Sequence, residues 1–322
     1  MTRKQNMPDF GGVPQILQQE DGGVSFRVKG SDGEITMTRY SVFPGIDLIY
    51  NDIHAGKSLS NLSGSSRNLL EIDHCRDGRM ECRVGTDSFY LAPGDICIHR
   101  LGDALREETF PGKHYHGITI QIDLDNSPKC LACFLEDVDV EPEAIARKFK
   151  LAENFFFALR QLPSIEHIFS ELYALPHSVR KGYFKVKILE LFLFLSGLEP
   201  EENQLEQRHF SETQITLARN VCSYLTEHID QRITAQELAE QFGVPVSRLN
   251  NSFQTVYGLS IAGYMRGQRM QSAAKLLRQT DRTVLDIAGQ FGYENGSKFA
   301  KAFRAVMGVT PMQYRNSICH KK

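Results

Sequence analysis

The sequence predicts an α+β, multidomain chain: a β-rich N-terminal barrel or sandwich, a helical subdomain behind it, and an all-α C-terminal domain with two helix-turn-helix units. Three observations predict it. Residues 24–125 hold short β-type runs separated by Gly, Pro and Asp clusters; from about residue 141 apolar residues recur at spacings of three and four; and beyond residue 210 one helical unit occurs twice. A length of 322 residues suits about two domains, and 41% hydrophobic with 24% charged residues is ordinary for a globular chain. No stretch approaches the roughly 20 apolar residues of a spanning helix, so no membrane partner is expected.

Taken in order, the opening MTRKQNMPDFGG lacks the apolar centre of a secretory signal. The chain is therefore expected in the cytoplasm, with its seven cysteines as thiols. Residues 1–23 read as an N-terminal arm. In the β region, residues 24–140, strands are expected around 35–40, 68–72, 80–84 and 118–122. Arg76-Asp77-Gly78-Arg79 and Val84-Gly85-Thr86-Asp87 carry hairpin signals, and Pro93-Gly94-Asp95 is a turn between two strands. Residues 141–198 form the helical subdomain, with helices expected over 147–162, 164–175 and 183–198. The last is apolar on nearly every side, so it must be buried in its own domain or against a second copy, which makes it the candidate homodimer seam. Residues 199–210, polar, acidic and containing Pro200, have the composition of a linker.

Residues 211–318 announce their helices by their caps. Thr234-Ala235-Gln236-Glu237 and Thr310-Pro311-Met312-Gln313 match the capping box, and Thr283-Val284-Leu285-Asp286 is its acidic variant. The repeat is the decisive feature. Thr234, Leu238, Ala239, Gln241, Phe242 and Gly243 recur 49 residues later as Thr283, Ile287, Ala288, Gln290, Phe291 and Gly292; Phe253, Gly258, Ser260 and Tyr264 recur 50 later as Phe303, Gly308, Thr310 and Tyr314. Each copy is a capped helix, a turn opening Phe-Gly, and a second helix with apolar residues at Leu249, Phe253, Val256 or at Phe299, Phe303, Val306. That is the layout of a helix-turn-helix, with Phe242, Phe253, Phe291, Phe299 and Phe303 in its core.

The second helix of each unit would enter a major groove. Its outward residues are Ser247, Arg248, Asn250, Asn251 and Gln254 in the first unit and Ser297, Lys298, Lys301 and Arg304 in the second. Amides pair with adenine, and Arg and Lys with guanine or phosphate. A connecting helix over 260–277, roughly 27 Å long, would hold the two readers about one DNA turn, roughly 34 Å, apart. Within it Arg269 is expected to pair with a buried carboxylate, while Arg266 and Lys275 suit either phosphate contact or solvated surface. Charge agrees: residues 211–322 carry 14 Lys and Arg against 8 Asp and Glu, a balance of +6, and residues 1–210 carry 23 against 31, a balance of −8.

Thr283-Val284-Leu285-Asp286-Ile287-Ala288, Phe291-Gly292-Tyr293, Phe299, Phe303, Gly308, Thr310-Pro311 and Tyr314-Arg315 together resemble the signature of AraC/XylS-type transcription regulators. The resemblance spans about 100 residues. It implies a seven-helix domain that binds promoter DNA, with Ser247, Asn250, Asn251, Ser297, Lys298 and Lys301 in base-reading positions, and a small-molecule effector that alters how domains or protomers sit on DNA. RNA polymerase is a further expected partner.

The strand-turn-strand at Pro93-Gly94-Asp95 resembles the cupin-like sensor barrel of the same family. His114 and His116 share a strand face, but a third ligand is not evident, and a wall or core role is expected. Cys130-Leu131-Ala132-Cys133 lacks a second CxxC and reads as two loop thiols. No metal and no cofactor are expected. The competing class is an enzyme, either a cupin dioxygenase or isomerase using His114 and His116 or a thiol redox protein. No GxSxG, P-loop, HExxH or Rossmann glycine pattern supports a catalytic reading.

Overall fold

The structure, a computed structural model, describes residues 15–18, 22–30, 33–56, 68–84, 87–101, 106–131, 139–149, 156–160, 162–198, 212–231 and 233–319. The chain divides into two compact units, Met1–His209 and Phe210–Lys322. Among the described residues no helix is long and apolar enough to cross a membrane.

The first unit holds strands β1 (Gln15–Gln18), β2 (Val24–Gly30), β3 (Gly33–Phe43), β4 (Ile46–His54), β5 (Leu69–Gly78), β6 (Met80–Val84), β7 (Asp87–Leu91), β8 (Asp95–Leu101), β9 (Arg106–Thr109) and β10 (Tyr115–Asp123). Helix α1 (Pro142–Lys148), strand β11 (Phe156–Arg160), α2 (Pro163–Tyr173) and α3 (Arg180–Gly197) follow. The strands form an eight-stranded sheet in the order β1-β2-β3-β4-β10-β5-β8-β11 and a three-stranded sheet in the order β7-β6-β9. Strand alternation gives the large sheet two different faces. Ile118, Ile120 and Ile122 join Ile46, Leu48 and Ile72 in a core with Ile165, Ile168 and Phe169 of α2 and Ile188, Leu191 and Phe192 of α3. On the other face, Cys75 and Cys97 pack with Met80, Cys82 and Leu91 of the small sheet.

Several expectations need correction. Residues 147–162 are not one helix: α1 ends at Lys148, and Phe156–Arg160 pairs antiparallel with β8. The open edge of β8 would otherwise leave backbone N–H and C=O groups without partners, and the aromatic run beginning at Phe156 suits a strand better than its spacing suits a helix. Arg76-Asp77-Gly78-Arg79 is not a hairpin. Strand β5 already pairs with β10 and β8, so the chain leaves at Gly78 for the other sheet, where β6 pairs with β7 and β9. Val84 does lie opposite Asp87 in a β6–β7 hairpin, although Gly85 and Thr86 themselves lie outside the described residues. Within the segment read as an arm, Gln15–Gln18 pairs with β2.

The second unit holds seven α-helices among the described residues: α4 (Glu212–Glu227), α5 (Ala235–Gln241), α6 (Val246–Tyr257), α7 (Ile261–Gln279), α8 (Val284–Gln290), α9 (Gly296–Met307) and α10 (Pro311–Cys319). Helix α7 serves two sets of neighbours. Near its start Tyr264 meets the rings of Phe253 and Tyr257 of α6 at 5.5 and 5.2 Å. Near its end Met270, Ala273, Ala274 and Leu277 form one core with Ile287 and Ala288 of α8 and Phe299 and Phe303 of α9. Each buried phenylalanine there contributes about 1.5–3 kcal/mol by leaving water.

Candidate nucleic-acid interface

Each helix pair is set by its capping chemistry. Thr234 Oγ1 accepts from the Glu237 N–H (3.2 Å) and the Thr234 N–H donates to Glu237 Oε2 (2.7 Å), closing the box that starts α5. Thr283 and Asp286 repeat it at α8, with N···O distances of 3.1 and 3.3 Å, and Thr310 and Gln313 close a third box at α10, with 3.3 and 3.0 Å. The hydrogen bonds from the Thr234 backbone and side chain hold the Glu237 carboxyl below its ordinary range. Those from the Thr283 side chain and backbone do the same for Asp286. After α5 and α8 the chain turns at Gly243 (φ 64°) and Gly292 (φ 77°), a left-handed conformation that glycine adopts without steric cost.

The turn aims the following helix so that one stripe is buried. Leu249, Phe253 and Val256 of α6 are inaccessible, as are Phe299 and Phe303 of α9. Val306, expected on that stripe, is instead 39% exposed, and Phe242, expected in the core, is half-buried with its ring edge-on to Tyr224. Both positions lie at the ends of their elements, where little chain remains to cover them. All nine outward residues named from the sequence are exposed: Ser247, Arg248, Asn250, Asn251 and Gln254 on α6, and Ser297, Lys298, Lys301 and Arg304 on α9. On the first helix Ser247, Arg248 and Asn251 line an open cleft with Gln214 of α4, a residue outside the repeated unit to which no motif points. Asn295, also unsuspected, caps α9 by accepting from the Ser297 and Lys298 N–H groups at 2.8 and 3.3 Å. An Asn four residues before the first buried Phe is the signal that would have found it.

The two helices differ in kind. The α6 face has one cation and three side-chain amides, while the α9 face has three cations and no amide. Arg266 and Lys275 of α7 are exposed. Arg269 is structural, but its partner is not a carboxylate: Nε donates to the Ile229 carbonyl (3.0 Å) and a terminal nitrogen to that of Gln231 (2.6 Å). These carbonyls follow the end of α4, where four C=O groups lack helical partners. Arg315 treats the end of α7 similarly, donating to Leu277 (3.3 Å), Thr280 (3.5 Å) and Arg282 (2.7 Å).

In the first unit, β4 and β10 place His54 beside His114, with their Nδ1 atoms 3.5 Å apart, and His116 close by. Strand pairing across 60 residues supplied the third imidazole, and no local motif could have shown it. Cys130 is half-buried, and Cys133 lies outside the described residues. Among the described residues, Cys75, Cys82, Cys97, Cys130 and Cys222 are not joined in disulfides.

Helix pairs of this form, with an apolar stripe inward and a donor-rich stripe outward, define a helix-turn-helix protein. Residues 238–317 match the family model described as a helix-turn-helix domain. The chain belongs to the AraC/XylS family of transcription regulators. It is 31% identical over 102 residues to the regulatory protein SoxS of Escherichia coli (strain K12), covering 32% of this chain and 95% of SoxS. It is 33% identical over 104 residues to the right origin-binding protein of the same organism, covering 32% of this chain and 36% of that protein, so it spans just over a third of that relative's length. Among solved structures it is similar to the C-terminal domain of AraT, a response regulator from Geobacillus stearothermophilus, with 31% identity over 31% of this chain and 84% of that one and a TM-score of 0.30.

Proposed function

We propose that this chain is a cytoplasmic, sequence-specific DNA-binding transcription regulator that reads two successive major grooves with α6 and α9, as two helix-turn-helix units in one chain. The observation that carries this reading is the pair of exposed polar helix faces repeated at 49–50 residues on either side of α7. The 19 residues of α7 make it roughly 28 Å long. In this reading Asn250, Asn251 and Gln254 of the first unit read base edges with Ser247, and Arg248, Lys298, Lys301 and Arg304 hold phosphates or guanines around Ser297. Homology to SoxS, a regulatory protein by name, supports it.

The N-terminal unit is, in the same proposal, a cupin-like sensor for a small-molecule effector. A buried polar run crosses the sheet face turned toward the small sheet: the Asn51 amide donates to Thr119 Oγ1 (2.9 Å), Thr119 donates to Asp73 (2.6 Å), and His99 Nε2 lies 2.8 Å from the other Asp73 oxygen. Such a run suits recognition of a polar molecule, which would act by favouring one arrangement of the protein over another. Helix α3 is the proposed homodimer seam, because Tyr183, Val186, Leu193 and Phe194 leave it with exposed apolar surface.

The test is genomic mapping of the tagged protein followed by binding to the recovered sites. Sharp peaks containing two short motifs one helical turn apart are expected. Peaks with a single motif would remove the double-groove reading, and absence of peaks under all growth conditions would remove the regulator.

A further inference from the structure

Three histidines gather at one end of the large sheet, far in sequence from the helices proposed to meet DNA. His54 closes β4, His114 immediately precedes β10, and His116 is its second residue. In the β4–β10 pairing Tyr115 lies opposite Ile53 and His116 opposite Asp52, so His54 and His114 share a level and all three imidazoles share a face with Asp52. The ring centroids are 4.7 to 5.5 Å apart. One nitrogen from each ring lies within 4.8 Å of the others.

The backbone around the cluster is built for close approach. Gly78 of β5 (φ 83°) sits where a Cβ would come 2.0 Å from the His114 carbonyl oxygen, and Gly33 of β3 (φ 152°) sits where a Cβ would come 1.9 Å from that of His54. Only glycine fits either position. The first brings Asp77 beside His114, whose Nε2 donates to it at 2.9 Å. Asp52 Oδ1 lies 2.9 Å from His54 Nε2 and 3.4 Å from His116 Nε2. That oxygen is sealed from solvent, and the His54 imidazole is the nearer of the two rings to it.

The tautomers follow from the carboxylates, which only accept. His114 carries its proton on Nε2, toward Asp77, and His54 carries its own on Nε2, beside Asp52. Their Nδ1 atoms are then bare lone pairs, and they face each other at 3.5 Å. Two neutral rings in that arrangement repel unless a proton or a metal cation lies between them. Zinc–imidazole bonds of about 2.0–2.1 Å place two ligands of a tetrahedral site about 3.3–3.4 Å apart, close to the separation here. A metal-binding histidine also typically donates its other N–H to a carboxylate, the relation His114 has with Asp77.

We propose that His54, His114 and His116 bind one divalent transition-metal ion of the zinc class, with Asp52 and Asp77 orienting the rings and the fourth position open to water. The ion would join the ends of β4 and β10, and through Asp77 that of β5. This site is independent of the DNA-binding reading.

The test is calorimetric titration of the chelator-treated full chain with Zn²⁺ alone. One equivalent is expected to bind, with at least tenfold weaker affinity in His54→Ala and in His114→Ala. Both side chains are at least partly exposed, so the fold should survive, and Asp77→Asn supplies a gentler variant expected to lose about 10–100-fold. His167→Ala, at an exposed histidine on α2, should bind like the parent. Cobalt(II) should give visible absorption without a thiolate charge-transfer band. A thiolate band would place the metal at the buried Asp73, Cys97 and His99 group instead. That result, unchanged affinity in the two histidine variants, or no binding at roughly 100 µM Zn²⁺, which would fill any site with a Kd of about 10 µM or tighter, overturns the proposal.

Discussion

Single side chains decide how the two helix faces would work. Asn250 is exposed on α6, flanking the buried row of Leu249 and Phe253, and an amide there can bond adenine through two atoms. Asn250→Ala should cost about 1–3 kcal/mol on an operator duplex and almost nothing on a scrambled one, read by fluorescence anisotropy; equal losses on both would remove base reading. Lys301→Ala should instead weaken binding to all sequences, and lower the salt slope by about 1. His74 concerns stability. It is buried under α2, its ring stacked on Phe169 at 4.1 Å, with Tyr173 Oη 3.2 Å from Nδ1, Glu166 Oε2 3.3 Å from Nε2 and Arg76 nearby. Burial holds its pKa below the ordinary imidazole value although Glu166 pulls upward. The unfolded chain therefore takes up the proton more readily than the folded one. The stability this provides is present above the ordinary value and is lost as pH falls through the window beneath it. Thermal denaturation between about pH 7.5 and about pH 5.5 should show a larger drop for the parent than for His74→Gln, and equal drops would contradict the assignment.

Among the elements, α3 and the ends of α4 and α7 carry the sharpest expectations. Leu191 is fully buried and Phe194 is 39% exposed, so the two residues of one helix separate folding from association. Leu191→Glu should unfold the first unit. Phe194→Glu should leave it folded and shift sedimentation at micromolar concentration from dimer to monomer; a Phe194→Glu protein that remains dimeric would move the seam elsewhere. Arg315 gathers three carbonyls around the end of α7, and Arg315→Ala should destabilise the second unit by about 1–3 kcal/mol in urea unfolding, since hydrogen bonds to a charged donor are lost and the acceptors turn to water. The helix starts in this unit were legible because a capping box is local, complete within four residues. Strand β11 was not, because its pairing with β8 spans some 60 residues of chain and leaves no mark on its own periodicity.

Across the whole molecule, the same distinction between local and distant contacts explains what could be read. The outward faces of α6 and α9 depend on helical periodicity and a glycine turn, both written in consecutive residues, and the exposure of all nine outward side chains was identifiable. Arg269 was identifiable as structural, but its true acceptors, the Ile229 and Gln231 carbonyls, belong to backbone that no sequence pattern advertises. The histidine group required β4 to lie beside β10, and the buried Asn51, Thr119, Asp73 and His99 run required four strands in register. Sheet registers join residues too distant for sequence reasoning to pair.

Helix α7 packs against α6 with its first turns and against α8 and α9 with its last, and no glycine hinge in the left-handed region interrupts it. It therefore acts as a phase-locked ruler. One residue added at its middle would lengthen it by about 1.5 Å and turn α9 by about 100° relative to α6. In the proposed double-groove reading, α6 and α9 would then no longer face successive grooves together. If α6 and α9 read DNA as proposed, sequence drift in the operators would alter the letters each helix meets, while the interval between them would stay set by the protein.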